Sequence, residues 1–211
     1  MAVASARSQL RDDLRRLFRG TLHTEDITCQ LYATDASLFR VEPLAVAVPH
    51  DEEDLQLLVK HASERNLSLI PRGAGTGLAG EALGHGLVVD LSVHFRKILA
   101  SNEDSVRVQP GIVLQQLNNE LRKQGRRFAP NPASAASCTL GGMLATNASG
   151  GNAALHGYTR EHVRSLRVVW EDGTADDTVM QTAPQTRELV AATTTLLQTN
   201  AELIDTHLDR L

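Results

Sequence analysis

Aromatic side chains make up only 3% of the 211 residues, with one tryptophan among them. Stacking platforms for single-stranded nucleic acid are therefore lacking. The formal net charge of −4 leaves no basic surface for a phosphate backbone. Cys29 and Cys138 are the only cysteines, and they form no CxxC pair. With no secretory segment, this implies a reduced, cytoplasmic setting. No apolar run approaches a membrane span. The N-terminal stretch carries Arg7, Arg11, Arg15, Arg16 and Arg19 without a long apolar core, so it reads as an amphipathic helix and not a signal peptide. No His/Cys/Asp/Glu spacing suggests a metal site. What remains is ordinary globular composition, 42% hydrophobic and 22% charged, enough for one large domain or two small ones.

Glycine, by contrast, is concentrated. Gly73, Gly75, Gly77, Gly80, Gly84 and Gly86 fall between two apolar runs, Leu67–Ile70 and Leu87–Leu91. Such a loop can turn with positive φ and aim successive N–H groups at an anion. Gly75-x-Gly77-x-x-Gly80 matches the dinucleotide pattern GxGxxG literally. That pattern requires a helix at its end and an acidic residue about 20 positions on. Only Glu81-Ala82-Leu83 precede the next glycine, and Asp90 lies inside the following strand. A Gly-Lys-Ser/Thr ending is also lacking. The stretch reads as a strand–loop–strand phosphate cradle, with a floppy glycine hairpin as the plain alternative.

A second cluster runs from Pro130 to Gly151 and is almost all small residues, including Gly141, Gly142, Gly150 and Gly151. Thr139 stands where a short helix would begin, and the free N–H groups of a helix start favour an anion. Asn147 and Ser149 add polar side chains. Tight helix packing would also explain the small residues. Two such clusters together point to one extended ligand whose diphosphate lies between them.

Between these landmarks the pattern is legible. Leu10, Leu14, Leu17 and Phe18 predict a helix over 5–19 ended by Gly20, and 21–44 reads as irregular, with Asp35 and Ser37 as turn or cap residues. Ala45–Val48 is a strand. Asp51 caps the next helix, whose buried face is Leu55, Leu58, Val59 and Ala62, and Asn66 ends it before the next strand. With Leu87–Leu91 this makes a three-stranded α/β layer. Ile98-Leu99, Val106–Val108 and Phe128 predict a second sheet. Leu114, Leu117 and Leu121 mark a helix capped by Gly125, and Asp172-Gly173 turns Leu166–Trp170 into a return strand Ala175–Val179. From Pro184 the chain reads as helical, with Val190, Leu197, Ile204 and Leu211 at seven-residue spacing.

The ordered set Pro71-Arg72-Gly73-Ala74-Gly75-Thr76-Gly77, Val108-Gln109-Pro110-Gly111, Thr139-Leu140-Gly141-Gly142-Met143-Leu144-Ala145-Thr146-Asn147-Ala148-Ser149-Gly150, His156-Gly157-Tyr158-Thr159-Arg160 and Val168-Val169-Trp170-Glu171-Asp172-Gly173 resembles the FAD-linked oxidase family (vanillyl-alcohol oxidase, D-lactate dehydrogenase and glycolate oxidase type). The resemblance runs from about Tyr32 to about Asp177. Tyr32-x-x-Asp35-x-Ser37 is most similar to the branch whose flavin module is fused to a C-terminal iron–sulfur module.

The resemblance implies an α+β fold, a two-lobed PCMH-type FAD-binding domain with a small parallel α/β lobe and a mainly antiparallel lobe with helices. The expected divisions are 1–44 (N-terminal helix and lead-in), 45–96 (first lobe), 97–183 (second lobe) and 184–211 (helical segment). It implies that N–H groups from Arg72, Gly73, Ala74, Gly75, Thr76, Gly77 and Leu78 hold the FAD pyrophosphate. Thr139, Gly142, Thr146, Asn147, Ala148, Ser149 and Gly150 would line the other side, with Pro132 near the ring. Some members tether flavin through a histidine at a position matching Thr76, so a dissociable FAD is expected.

The activity implied is oxidation of a 2-hydroxy acid (D-lactate, glycolate or D-2-hydroxyglutarate type) to the 2-oxo acid. The family's glycine-rich strand after the hairpin, its substrate cap and its cysteine clusters are not in this sequence. The chain is therefore expected to be a truncated piece without catalytic residues, its iron–sulfur cluster and substrate contacts lying elsewhere. His156 and His162 read as surface or packing residues. The expected compartment is the cytoplasm, with a membrane reached only through the unknown electron acceptor. Two alternatives stay open: a non-catalytic folding or interaction module, and an NADPH-dependent flavin reductase of the same fold.

Overall fold

A computed structural model describes residues 2–178 and 184–203. Helix α1 (Ala2–Leu14) is followed by strand β1 (Thr21–His23), helix α2 (Asp26–Leu31), strand β2 (Ala45–Val48), helix α3 (Glu52–Glu64), strand β3 (Leu69–Arg72) and strand β4 (Leu87–Asp90). The four strands form one sheet in the order β1-β2-β4-β3. β2, β4 and β3 run parallel, and β1 adds an antiparallel edge. Every residue of β2 and β4 is buried, as expected of parallel strands covered on both faces. On one face Ala45, Ala47, Leu87 and Val89 pack with Leu10 and Leu14 of α1 and Leu58 of α3. On the other, Val46, Val88 and Ile70 meet Tyr32.

The second half begins with strands β5 (Ile98–Ser101) and β6 (Val106–Val108), an antiparallel pair, then helix α4 (Leu114–Arg122). Short helices α5 (Leu140–Ala145) and α6 (Ala153–His156) and a 3₁₀ turn (Thr159–His162) follow. An antiparallel hairpin, β7 (Arg167–Val169) and β8 (Ala175–Asp177), comes next, then helix α7 (Pro184–Thr199). Leu117 and Leu121 of α4 pack with Ile112, Val106 and Val108, and Leu114 packs with Cys138 and Met143. The hairpin joins the two halves: Arg167 pairs with Glu52 of α3 at 2.8 Å, and Asp177 pairs with Arg107 of β6 at 2.6 Å.

Several expectations change. α1 ends at Leu14, and Leu17 is exposed. Gly20 has a different use: a Cβ there would lie 2.2 Å from Val48 O, so it lets the chain pass β2. The stretch 21–44 is not irregular but holds β1 and α2, which makes the sheet four-stranded. Phe128 is in no strand. Its N–H and C=O are both taken by the side-chain amide of Asn118, at 2.7 and 3.3 Å. Gly125, with φ +69°, follows α4 as anticipated. Val179, Ile204 and Leu211 lie outside the described residues; Leu189, Val190, Leu196, Leu197 and Leu203 of the C-terminal helical stretch are exposed. Among the described residues no helix is long and apolar enough to cross a membrane.

Asp51 caps α3 by accepting from Asp54 N at 3.1 Å. Asp54 does more than add charge to the first turn. It is 2% exposed and accepts from Arg19 N (3.0 Å) and His50 N (2.9 Å), tying the entries of β1 and α3 together. Truncating it strands two backbone donors. Asp54→Ala is expected to lower the unfolding free energy by about 2–3 kcal/mol. Glu53→Ala, which removes only an exposed pair with Arg19, should cost less than about 1 kcal/mol. Urea denaturation of both variants checks the contrast.

Candidate functional site

The glycine-rich loop joins β3 to β4, which are adjacent and parallel. It is therefore a crossover and not a hairpin, and it contains no helix. A loop that returns without a helix leaves its amides unbonded. No described residue accepts a hydrogen bond from the backbone N–H of Gly73, Ala74, Gly75, Thr76, Gly77 or Leu78. Gly75 has φ +65°, the left-handed region that turns the row.

Arg72, at the end of β3, holds the loop with its side chain. Its guanidinium donates to Tyr32 O (3.1 Å), Thr34 O (2.7 Å) and Ala82 O (3.4 Å), and lies 5.2 Å from the centre of the Tyr32 ring. The lead-in before β2 is thus strapped onto the loop. Ala36 N donates to Gly75 O at 3.0 Å, and Asp35 and Ser37 make the expected turn, with Ser37 N on Asp35 Oδ1 at 2.8 Å. Beneath the strap, the Tyr32 hydroxyl donates to Asp90 Oδ2 at 2.5 Å. Asp90 is 4% exposed, and its other oxygen takes Ser92 N at 2.7 Å. No local signal marks this pair in the sequence: Asp90 sits inside an apolar strand, and its partner lies 58 residues away.

The two glycine clusters meet. A Cβ on Gly73 would lie 2.1 Å from Thr139 Oγ1. Thr139 is 3% exposed and is the N-cap of α5, its Oγ1 accepting from Gly142 N at 3.3 Å. The segment before α4 runs beside it and fixes its place: Leu114 N donates to Cys138 O, Leu140 N to Ile112 O and Gly141 N to Pro110 O, at 3.0, 3.0 and 2.8 Å.

The rest of the second cluster is knitted mainly to its own chain. Thr146 Oγ1 donates to Gly142 O (3.0 Å), Asn147 Oδ1 accepts from Arg160 N (3.1 Å), and Ala148 O accepts from Thr159 Oγ1 (2.6 Å). Gly150, at φ +110°, bridges to Asn131, where a Cβ would lie 2.0 Å from the carbonyl oxygen. Gly141 is small because Pro110 abuts it. At these positions the partner passing close to the backbone is the protein itself, which revises the expectation drawn from residue size. Ser149 is half-buried. Pro132 lines an open cleft with Leu114, Asn118, Asn131 and Gly151. His162 packs edge-on against Phe128, and His156 meets Arg127 Nη2 at 3.0 Å.

Burial, and after it the bond to Asp90, pushes the Tyr32 phenol well above the usual tyrosine range. A raised folded-state value keeps this contribution whole below the unfolded value of about 10 and removes it as pH rises beyond that. Tyr32→Phe is expected to cost about 1–3 kcal/mol at pH 7, because Asp90 stays buried with one partner fewer. The fall in stability above about pH 10 should also flatten in this variant. Urea titrations at pH 7 and about pH 10.5 read both effects.

Comparison with known proteins identifies the family. A family model described as an FAD binding domain matches residues 43–178. The chain is 35% identical over 209 residues to a D-2-hydroxyglutarate dehydrogenase of Pseudomonas putida, covering 92% of this chain and 21% of that protein. It is 40% identical over 151 residues to the Escherichia coli protein of the same name, covering 69% of this chain and 15% of the relative. Among solved structures, an alkyldihydroxyacetonephosphate synthase superposes with a TM-score of 0.69 at 25% identity, over 77% of this chain and 33% of that one. The paired glycine clusters, their order and the matched span together make this chain a member of the FAD-binding domain family of FAD-linked oxidoreductases.

Proposed function

We propose that the chain holds FAD for an oxidoreductase that converts a 2-hydroxy acid to its 2-oxo acid, with D-2-hydroxyglutarate as the first substrate to test. One observation carries the cofactor half of this reading. Six successive amides, Gly73 to Leu78, find no acceptor among the described residues, and the row begins against the cap of α5 at Thr139. A diphosphate supplies the acceptors such a row lacks. The substrate half rests on the names of the two relatives, of whose length the chain spans only 21% and 15%.

On this reading the amides of Gly73, Ala74, Gly75, Thr76, Gly77 and Leu78 hold the diphosphate, while Arg72, which lies in the β3–β4 ladder, positions the loop. Thr139 and Gly142, with the backbone of Thr146, Asn147, Ala148, Ser149 and Gly150, form the opposite wall, and Pro132 borders the ring. When bound, FAD supplies the acceptor for a hydride equivalent. The chain's own part is to hold and orient it. Arg72 keeps the loop open through three carbonyls, and Thr139 sets how closely the second wall approaches. Thr76 offers no nucleophilic ring nitrogen for a covalent tether, so FAD is expected to be dissociable. The limits 45–96 and 97–183 are proposed as the two FAD-holding lobes, with 1–44 and 184–211 flanking them. Groups that bind the substrate carboxylate, any iron–sulfur cluster and the electron acceptor are proposed to lie outside this chain. Buried free thiols at Cys29 and Cys138 support a reducing, cytoplasmic compartment.

The purified chain should take up FAD, with quenching of flavin fluorescence. Gly75→Val is expected to lower the affinity at least about 100-fold, because the left-handed φ is lost and the new side chain meets Arg72 Nη2, 2.7 Å from the Cβ position. Circular dichroism should remain that of the folded wild type. Unchanged affinity would remove the loop from the site. Turnover of D-2-hydroxyglutarate, D-lactate and glycolate by the whole gene product, with a dye acceptor, distinguishes the substrates.

A further inference from the structure

The turn that closes the glycine loop brings a negative charge of its own. Glu81 follows Gly80, whose φ is +81°, and its side chain folds back over the loop. Its Oε2 accepts from Ala79 N at 3.0 Å. Its carboxylate covers Gly77: Oε2, Cδ and Oε1 lie 2.5, 2.6 and 2.6 Å from where a Cβ on that glycine would be. The carboxylate therefore sits at the end of the row of amides that meet no acceptor among the described residues. Among the described residues Glu81 forms no ion pair, and Arg72, the guanidinium holding the same loop, is engaged by carbonyl oxygens. An anionic side chain without a counter-ion rests where the backbone favours an anion.

We propose that Glu81 is an internal anion at the edge of the dinucleotide site, bonded to the amide next to the open row and swung aside when FAD enters. The inference rests on the flavin reading given above. One exposed hydrogen bond holds the side chain, so it can leave easily. A diphosphate on the row drives it out, because the carboxylate on Ala79 N and beside Gly77 would face it as a like charge at short range. Glu81 thereby governs how fast FAD enters more than how long it stays, and salt modulates the effect by screening the repulsion.

The test measures association and dissociation rates of FAD with the full chain by stopped-flow flavin fluorescence at low and high salt. Wild type is compared with Glu81→Gln, which keeps the acceptor and loses the charge, and Glu81→Ala, which loses both. Both variants should associate about three to ten times faster at low salt, with dissociation within about twofold of wild type and a smaller advantage at high salt. If Glu81 merely braces the turn, Glu81→Ala will release FAD faster with unchanged association, and the proposal is overturned. Equal rates in all three proteins overturn it too, while leaving the flavin reading intact because wild type still binds. A folded wild type that takes up no flavin ends both.

Discussion

Two neighbouring parallel strands cannot be joined by a tight turn, because the chain must travel back the length of the sheet before it pairs again. Most proteins make that return as a helix, which satisfies its own backbone. Between β3 and β4 the return is made by a glycine-rich loop, and its amides from Gly73 to Leu78 find no acceptor among the described residues. The loop cannot sink into the core, where unpaired amides cost about 1–3 kcal/mol each. It must stay at the sheet edge, held open from outside. Arg72 does this with three carbonyl contacts, two of them to the lead-in strap. The strap in turn rests on Tyr32, whose hydroxyl reaches the buried carboxylate of Asp90 on β4. Loop, strap and central strand therefore stand or fall together.

Much of this could be read in the sequence where the cause was local. Ala45–Val48 was clear because a strand buried on both faces is apolar throughout, and Asp51 because a cap needs a short acceptor at one place. Asp172-Gly173 was clear because its turn needs φ > 0, and Gly173 has φ +83°. What escaped reading was non-local. β1 has three residues and exists because β2 offers it an edge. α2 exposes Ile27 and Leu31, so it carries no amphipathic stripe to recognise. Phe128 looked like a strand residue, yet the amide of Asn118 bonds both its backbone groups as a neighbouring strand would. Glu81 carried no signal at all; only the fold of the turn brings its carboxylate back over Gly77.

The site was legible in part for the same reason. Glycine spacing revealed a loop with unusual φ and close approaches, but not what approaches. At Gly73 the close neighbour is Thr139, at Gly141 it is Pro110 and at Gly150 it is Asn131. The two clusters are poor in side-chain bulk first because they pack on each other and on nearby chain. The contact between Gly73 and Thr139 puts the two clusters side by side, which is what the flavin reading requires of them. Two segments more than 60 residues apart in sequence place a cap hydroxyl where a single methyl would clash, so they are packed without room for a side chain between them.

A site built in this way differs from one built on charged side chains. Backbone amides do not titrate, and their number does not change when a residue is replaced by anything but proline. Their value to an anion depends only on conformation, which here means the φ of Gly75, the grip of Arg72 and the contact between Gly73 and Thr139. Affinity and local stability are thus linked. A change that loosens the strap lowers the fraction of molecules with the row aligned and weakens binding by that fraction. Conversely, a ligand bound to the aligned row stabilises the sheet edge by RT ln(1 + [L]/Kd). The buried Tyr32–Asp90 bond touches no amide of the row, yet on the flavin reading it bears on binding in this energetic sense, because it anchors the strap that Arg72 ties to the loop.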